Sequence, residues 1–456
     1  MRPPPPRITP SRTSPIRGIL AGSAVFAFLG LGGLAQAQPA PVQRPNILLV
    51  IADDMDYEHL GFRNPVASTP TLDSLAAEGT VFDNAWMASR CAPSLASILT
   101  GLHPHQHGRT YNYDRTFPLR GFDASASFTQ DLTSAGYRCF MAGKWWFGDP
   151  TDHGFEASDP DIERFARQDQ DELFGWLSAL GAEDRFFLWW APYLPHVPHT
   201  PPERHLARID PGLIVVPEHV PENRRDDYVR DEHALLAMTS WMDEELGRLL
   251  DTLDRLGRRD DLLIIFCIDN GWANGLVSKG TVYEKSLQSP IILHHPTRVP
   301  AGRTRQELVS ITDLRPTILD FAGIEAAPRS EGRSLRPLAE LTPGARWRDH
   351  LVEMTFAGYS FDTDWTNEAF SIGVRSRSWK YVVYLHDLRA GRNVGYYAIQ
   401  HLHQPFPRRN RGDEELYLLS QDPHELVNLV DDPRNRGRLR RIRDFVLNYW
   451  VQATGF

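Results

Sequence analysis

Two pairs of oxygen-bearing side chains directly follow the most apolar runs of the sequence. They are Asp53 and Asp54 after the run NILLVIA, and Asp269 and Asn270 after the run LLIIFCI. Apolar runs of this length are typical of buried strands in a parallel sheet, where ligands bind beyond the carboxyl ends of the strands. If the two strands are neighbours, three carboxylates and one amide oxygen converge, and this all-oxygen set suits Ca²⁺ or Mg²⁺ rather than zinc. The alternative is that each aspartate only caps the turn or helix that follows it.

Cys91 stands directly before a predicted helix. In the segment CAPSLASILTG a proline follows two residues after the cysteine, and proline is favoured in the first helical turn. The amino end of a helix carries partial positive charge, so an anionic ligand is favoured beside Cys91. The alternative is a buried structural cysteine, which is our interpretation of Cys139 and Cys267 because each lies in an apolar strand-like run. Three cysteines cannot form a disulfide framework.

Alternating strand-like and helix-like segments must position these residues. Besides the two apolar runs, residues 186–191 (FFLWWA) predict a buried strand, and residues 228–256 carry leucines and methionines near the helical period of 3.6. A short helix is predicted from Thr69-Pro70 to Gly79. The pattern predicts an α/β fold with a large, mostly parallel central sheet flanked by helices.

The composition changes after about residue 343. Short strand-like pieces occupy residues 369–385, and residues 440–450 predict a terminal helix. We therefore predict a catalytic α/β domain over residues 44–343 and a smaller C-terminal α+β subdomain over residues 344–456.

The amino terminus has the pattern of a secretory signal peptide over residues 1–37. Four arginines without an acid precede the apolar stretch 18–35, which ends in Ala35-Gln36-Ala37. The alternative is an uncleaved anchor. We expect cleavage and a periplasmic or secreted protein, with no integral membrane domain after signal cleavage because no other long apolar run follows.

The charge balance argues against a nucleic-acid partner. The 456 residues carry 49 basic and 58 acidic side chains, which gives a formal net charge of −9. A non-specific nucleic-acid binder would normally be basic.

The order of several motifs resembles that of the sulfatase family. In chain order they are NILLVIADD, CAPSLASILTG, GYRCFMAGKW, PHVPH, IDNG, KGTVYEKS, VPAGR, ITDLRPTILDFAGI and ELYLLSQDPHELVNL. They cover nearly all of residues 45–430. The resemblance implies an alkaline-phosphatase-like fold and a sulfuric ester hydrolase whose substrate is a sulfated carbohydrate or another sulfate ester.

The resemblance also implies a role for each matching residue. The family's Ca²⁺ ligands match Asp53, Asp54, Asp269 and Asn270. Cys91 matches the cysteine that a formylglycine-generating enzyme oxidises to formylglycine (3-oxoalanine), whose hydrated aldehyde attacks sulfur. Lys144 and Lys279 match lysines that bind the sulfate, and His196 matches the histidine that helps to protonate the leaving alcohol. These groups suit an anionic ester, because a cation, two ammonium groups and a helix amino end all accept negative charge.

Two positions depart from the family's pattern. Leu95 stands where the family has an arginine that presents the cysteine for modification, and Trp146 stands where it has a histidine. Trp146 cannot act as a base, but His105 or His107 could reach the site from the far end of the Cys91 helix. The alternative is that both histidines are solvated loop residues. We interpret the variant motif C-x-P-S-L as the mark of a sulfatase subgroup.

Trp146 and His199 are further candidates for substrate contacts. An aromatic ring suits the flat apolar face of a sugar, although residues 145–147 (WWF) could equally be core. His199 follows His196 by three residues and could be structural.

Two other functions remain open from the sequence. The chain could hydrolyse phosphate or phosphonate esters, as other members of the superfamily do. It could also be a non-catalytic protein that binds sulfated glycans, because Leu95 and Trp146 replace family residues.

Overall fold

The computed structural model describes residues 44–110, 112, 124–161, 163–325, 332–342, 346–356, 369–385 and 409–454. The predicted signal peptide, residues 1–37, lies outside the described residues. No helix within the described ranges is long and apolar enough to cross a bilayer.

The strands that the structure describes fall into two sheets. They are β1 (Asn46–Ala52), β2 (Thr80–Trp86), β3 (Tyr137–Gly143), β4 (Ala157–Asp159), β5 (Arg185–Ala191), β6 (Leu262–Ile268), β7 (Ile291–His294), β8 (Arg303–Ser310), β9 (Leu351–Phe356), β10 (Ala369–Arg375), β11 (Lys380–Tyr384) and β12 (Glu414–Tyr417). Within the described residues, eight strands form a sheet in the order β4-β3-β5-β1-β6-β7-β2-β8, and four form a sheet in the order β12-β11-β10-β9.

The large sheet is mostly parallel, as predicted. Strand β7 is the exception, because it runs antiparallel to both of its neighbours, β6 and β2. The runs NILLVIA and LLIIFCI form β1 and β6, which lie side by side near the middle of the sheet and are buried along their whole length. The prediction of an α/β fold with a large central sheet is confirmed.

Helices cover both faces of this sheet. The α-helices of the described residues are α1 (Pro70–Glu78), α2 (Cys91–Thr100), α3 (Pro104–His107), α4 (Phe128–Ser134), α5 (Asp171–Ser178), α6 (Glu203–Leu206), α7 (Arg225–Arg255), α8 (Glu284–Leu287), α9 (Leu314–Phe321), α10 (Arg336–Ala339) and α11 (Arg436–Thr454). Short 3₁₀ helices lie at Tyr57–His59, Ala124–Ala126, Pro150–His153, Pro211–Leu213, Glu222–Arg224, Ile311–Asp313 and Pro433–Asn435.

Strand β1 shows why the helices form two layers. Successive side chains of a strand point to opposite faces. Ile47, Leu49 and Ile51 pack in the core cluster that includes residues of α2, α4 and α9. The alternate residues Leu48 and Val50 pack in the cluster that includes residues of α1, α5 and α7. A strand buried on both faces must be apolar throughout, which is the pattern seen in the sequence.

The C-terminal sheet is antiparallel, and α11 packs on it. Leu439, Ile442 and Val446 of α11 share a core cluster with Ile372 and Tyr381 of the sheet. The predicted strands within residues 369–385 and the predicted terminal helix are therefore both present. The sequence boundary near residue 343 stays a prediction.

Candidate active site

The carboxyl ends of β1 and β6 lie at the same edge of the sheet. The strands are parallel, and Ala52 pairs with Ile268. The structure thereby brings together Asp53, Asp54, Asp269 and Asn270, each at most 1% exposed. The backbone N–H of Asp54 donates to Oδ1 of Asp269 across the two strand ends (3.1 Å).

Cys91 is the first residue of α2 and faces these carboxylates. Arg90, the residue before it, has a φ of +78°, a left-handed value that turns the chain into the helix. The sulfur of Cys91 lies 4.0 Å from Oδ1 of Asp53 and 4.0 Å from Oδ1 of Asp54. Ligand atoms of Cys91, Asp53, Asp54 and Asp269 all lie within 4.8 Å of one another. The helix amino end and the strand ends therefore meet at one buried point.

Two buried lysines neutralise much of the negative charge. The Nζ atom of Lys144, which follows β3, lies 2.5 Å from Oδ1 of Asp53 and 2.9 Å from Oδ2 of Asp269. The Nζ atom of Lys279 lies 2.6 Å from both carboxylate oxygens of Asp54 and 3.3 Å from the sulfur of Cys91. An anion that approaches Cys91 would meet both ammonium groups.

His196 completes the group and is held by a tyrosine. Its Nε2 atom lies 3.2 Å from Oδ2 of Asp54 and 3.2 Å from the hydroxyl of Tyr193. The rings of Tyr193 and His196 stack with their centres 4.1 Å apart. The guanidinium of Arg167 donates to the backbone oxygens of both residues, at 2.7 Å and 3.0 Å. These two hydrogen bonds from Arg167 hold the loop that carries His196 in place.

Burial and charge shift the pKa values of the cluster in different directions. Burial alone would raise the pKa of Asp54, but the ammonium of Lys279 and the ring of His196 outweigh it and lower the pKa well below its usual range. Burial raises the pKa of Asp269 to about 6, although Lys144 opposes the rise.

The Cys91 thiol is unreactive in this environment. Burial raises its pKa to about 12, although Lys144 and Lys279 oppose the rise. Only a thiolate is a good nucleophile, so the unmodified thiol is poorly suited to attack an ester at neutral pH.

The residues present fit a divalent cation. Within this cluster, two buried oxygens have no hydrogen-bond partner among the described residues, Oδ2 of Asp53 and Oδ1 of Asn270. Three carboxylates and one amide oxygen form the hard donor set that Ca²⁺ and Mg²⁺ prefer. A buried carboxylate group of this density requires compensation by positive charge, which the two lysines provide in the structure.

Leu95, which stands where the family has an arginine, lies in the core. Leu95 is fully buried in the cluster that includes Ile98 and Leu99 of the same helix. A different arginine, Arg109, lies nearby and is buried. Its guanidinium donates to the backbone oxygen of Asn112 (3.0 Å), and the side chain of Asn112 accepts from the backbone N–H that follows Cys91 (3.0 Å).

The two candidate histidines beyond the Cys91 helix lie away from the carboxylates. His107 is buried between the hydroxyl of Ser97 and the backbone N–H of Arg109, each at 3.0 Å, so the solvated-loop interpretation is wrong for it. The ring of His105 stacks on His103 and meets Tyr449 of α11 edge on. None of these contacts joins either histidine to Cys91.

Both tryptophans of the aromatic stretch are half-buried and pack against the core cluster that contains Phe147. Trp145 meets Phe147, Phe155 and Trp189 edge on at 5.0 to 5.9 Å. The role of Trp146 as a sugar platform stays a prediction.

His199 and the active-site Lys279 both lie close to the ring of Trp272. The ring centre of His199 is 6.2 Å from that of Trp272, and the Nζ atom of Lys279 lies 5.9 Å from the centre of the same Trp272 ring. This position is compatible with a substrate contact, which stays a prediction.

Sequence reasoning missed Tyr193, Arg167 and Asn112. Tyr193 precedes the motif PHVPH by two residues, and its aromatic type beside two histidines was the available signal. Arg167 and Asn112 reach the site from segments without a recognisable motif, so no sequence signal pointed to them.

Comparison with known proteins assigns the family. The sulfatase family model matches residues 45–324, which is more than half of the chain. A model described as N-sulphoglucosamine sulphohydrolase, C-terminal, matches residues 273–394. The chain therefore belongs to the sulfatase family, and its class of activity is that of a sulfuric ester hydrolase.

Several curated relatives are similar over most of their length. The chain is 29% identical to human N-sulphoglucosamine sulphohydrolase, with 92% of each chain covered. It is 25% identical to N-acetylglucosamine-6-O-sulfatase of Bacteroides thetaiotaomicron, over 89% of this chain and 86% of the relative. It is 30% identical to N-acetylgalactosamine-6-sulfatase of the dog, over 77% of each.

Solved structures share the fold. The chain superposes with a TM-score of 0.73 on BT4656, solved in complex with its substrate D-glucosamine-2-N,6-O-disulfate, at 20% identity over 91% of this chain and 99% of the other. It also superposes with a TM-score of 0.67 on the phosphonate monoester hydrolase of Agrobacterium radiobacter, at 18% identity over 90% and 96%. At these identities the likeness concerns the fold alone.

Proposed function

We propose that this chain hydrolyses sulfate esters of carbohydrates, with a formylglycine nucleophile derived from Cys91 and with Ca²⁺ at the carboxylate cluster. Mg²⁺ is the alternative ion. One observation carries the proposal: Cys91, the carboxylates at two strand ends and two ammonium groups converge in one buried site. The three curated relatives described above are named for sulfated amino sugars, so these are the first substrates to test.

The side chains around Cys91 suit the binding and cleavage of an anionic ester. Formylglycine at position 91 would supply the nucleophile, and the cation would supply positive charge for the sulfate oxygens. Lys144 and Lys279 bind the sulfate, since their ammonium groups lie at the carboxylate cluster that Cys91 faces. His196 donates a proton from Nε2 to the oxygen of the leaving alcohol.

The charge of His196 depends on the substrate. In the structure burial lowers its pKa to about 4, although Asp54 opposes the shift, so the imidazole is neutral at pH 7 before substrate binds. An opposite charge nearby favours the charged form of a titratable group. A bound sulfate therefore favours the imidazolium that the leaving alcohol requires.

Sulfate release from sulfated amino sugars tests the proposal. We expect release by the protein from its native host, a mass-spectrometric signal for the aldehyde at residue 91, and a loss of roughly 10³-fold or more in Cys91→Ala because the nucleophile is gone. Cys139→Ala is the matched control, since Cys139 is a buried cysteine in β3, and it should keep its rate. An unmodified thiol together with full activity would contradict the formylglycine proposal.

Two other outcomes would identify the alternatives. Faster hydrolysis of a phosphate or phosphonate ester than of the matched aryl sulfate would assign the chain to the other ester class. Binding of a sulfated glycan without turnover, unchanged in Cys91→Ala, would assign a non-catalytic role.

We further propose that a formylglycine-generating enzyme modifies the chain and that residues 1–37 are removed on the way to the periplasm or the medium. The basic start, the apolar stretch and the Ala-Gln-Ala ending support the second point. Amino-terminal sequencing of the protein from its host should begin near residue 38. A first residue within 1–20 would contradict cleavage.

A further inference from the structure

A polar cavity is lined by residues that follow two of the cation-binding segments in the chain. Its volume is about 190 Å³, and Asp56 and Asn274 are among the residues that line it. Asp56 follows Asp54 by two residues, which the backbone spans in about 7 Å, and Asn274 follows Asn270 by four. The cavity therefore begins where two of the cation-binding segments end, yet its lining includes neither Cys91 nor the lysines of the active site.

One wall of the cavity is charged. The Nζ atom of Lys285 lies 3.0 Å and 2.9 Å from the two carboxylate oxygens of Asp56 and 2.5 Å from Oε2 of Glu58. In the same charged part of the lining, Nε2 of His59 lies 2.9 Å from Oε1 of Glu232. Lys285, Asp56 and His59 are nearly inaccessible to solvent, whereas 45% of the Glu58 side chain is exposed.

Two polar atoms of this wall lack a partner among the described residues. They are Nδ1 of His59 and Oδ1 of Asn274, in side chains that are 2% and 5% exposed. The amide nitrogen of Asn274 donates to the backbone oxygen of Tyr228 (2.9 Å), which fixes the side chain. Leaving a buried polar group unsatisfied is destabilising, so a ligand or water that pairs with these atoms is favoured.

Another part of the lining is apolar. It includes the segment that carries Leu213, Ile214 and Val215, together with Leu236. Leu213 is 59% exposed and Val215 is 83% exposed, so the rim of the cavity is an apolar edge in contact with solvent. A ligand with hydroxyl groups around its edge and an apolar face matches both parts of the lining, and a pyranose ring has this form.

The size of the cavity suits one such ring. A cavity of about 150 Å³ holds one benzene molecule, whereas a single water needs only about 10–15 Å³. At about 190 Å³, this cavity admits one six-membered ring with its substituents.

The charge of the wall disfavours an anion. Three carboxylates, those of Asp56, Glu58 and Glu232, line the cavity together with the ammonium of Lys285 and the rings of His59, His219 and His424. Burial alone would lower the pKa of His59, but the carboxylate of Glu232 outweighs it and raises the pKa. The three carboxylates outnumber the one ammonium group of the lining.

We propose that this cavity binds an uncharged or ammonium-bearing sugar ring, the neighbour of the sulfated unit in the substrate. The statement about the substrate rests on the proposed function, whereas the binding of the ring does not. The charged and polar residues of the lining determine which sugar binds. Hydroxyl or ammonium groups of the sugar pair with Glu58, His59 and Asn274, whereas the carboxylates of the lining repel a uronate or a second sulfate.

Direct binding of monosaccharides to full-length Cys91→Ala protein tests the proposal. D-glucosamine, D-glucose and D-glucuronate are titrated separately, and binding is followed by ligand-observed NMR. We expect glucosamine and glucose to bind, and glucuronate to bind at least about tenfold more weakly, which corresponds to about 1.4 kcal/mol. Equal or tighter binding of glucuronate, or no binding of any of the three sugars, would overturn the proposal.

Two variants locate the binding. Leu213→Trp fills the cavity from its exposed rim and should abolish binding, whereas Leu447→Trp, at an exposed leucine of α11 (63% exposed), should not. Glu58→Gln should weaken glucosamine more than glucose, because it removes one carboxylate. Unchanged binding in Leu213→Trp would place the sugar elsewhere. Hydrolysis of an aryl sulfate by the unsubstituted protein is measured separately, so failure of the cavity and failure of the sulfatase proposal are distinguishable.

Discussion

The hydrogen bonds of His196 define the state of its ring. Its Nδ1 atom lies 2.8 Å from the backbone oxygen of Val197, which can only accept, so Nδ1 carries the hydrogen of the neutral ring. Nε2 then accepts from the hydroxyl of Tyr193. Tyr193 is therefore a positioning residue that aims Nε2 at the space beside Cys91, where the leaving alcohol would lie.

Tyr193→Phe should lower kcat for sulfated sugars about tenfold with little change in KM. General acid catalysis contributes a rate factor of about 10²–10⁴, and the positioning of His196 by Tyr193 accounts for a part of that factor. An aryl sulfate should be affected less, because its leaving group needs less protonation. Steady-state kinetics on both substrates check this.

Tyr137→Phe is the matched control. Tyr137 begins β3 and its hydroxyl donates to the backbone oxygen of Pro45 (2.9 Å), at the end of the strand opposite to Lys144. It should keep the wild-type rate. An equal loss of kcat for the sugar and the aryl sulfate in Tyr193→Phe would indicate a general structural effect.

At the scale of elements, α1 begins with a cap from a distant helix. Thr69, the residue before α1, makes no side-chain capping bond. Instead the buried carboxylate of Asp243 in α7 accepts from the backbone N–H groups of Thr71 (3.0 Å) and Leu72 (2.8 Å). Both helices pack on the face of the sheet that holds Leu48 and Val50 of β1, so this cap supports the strand that ends in the cation ligands.

Asp243→Ala should lower the free energy of unfolding by about 1–2 kcal/mol, the usual cost of losing a helix cap. Urea denaturation measures it. Asp254→Ala, on the same helix at a side chain that is 58% exposed, should change the free energy by less than about 0.5 kcal/mol. Equal effects of the two substitutions would show that the cap contributes nothing.

At the scale of the whole molecule, a buried ionic network joins the two sheets. Lys380 of β11 is inaccessible to solvent, and its Nζ atom lies 3.2 Å from Oε1 of Glu284 in α8 and 2.8 Å from Oε1 of Glu425. Arg375 of β10 lies 2.9 Å from the other oxygen of Glu284. Glu284 follows Lys279 by five residues, so the C-terminal sheet anchors the segment that brings Lys279 to the active site.

The stability of the protein should depend on pH through Glu425. Burial raises its pKa to about 7 from an unfolded value near 4.5; Lys380 opposes the rise and Glu284 adds to it. Between these pH values the folded protein binds a proton that the unfolded chain has lost, so stability falls as the pH rises from about 4.5 to about 7.

Glu425→Gln removes this titration. The free energy of unfolding of the variant should therefore fall less than that of the wild type between pH 5 and about 7.5. Urea denaturation at both pH values checks it. If the difference between the two proteins were the same at both pH values, Glu425 would not titrate in this range.

The sequence by itself determined the layers of the fold and the main groups of the site. Apolar runs such as NILLVIA predicted β1 and β6 because a strand buried on both faces must be apolar, and their final residues predicted where carboxylates meet. The order of motifs predicted Cys91, Lys144, His196 and Lys279, which the structure brings together.

Only the tertiary structure decided which distant side chains support that site. The contact between Asp243 and Leu72 spans 171 residues, and the contact between Asn112 and Ala92 lies outside any motif. The same holds for His107, for which the sequence left a catalytic and a loop position open, and which is buried beside Ser97. Periodicity and motifs report what one segment requires locally, whereas contacts between segments depend on how helices and strands pack, and packing is a property of the whole chain.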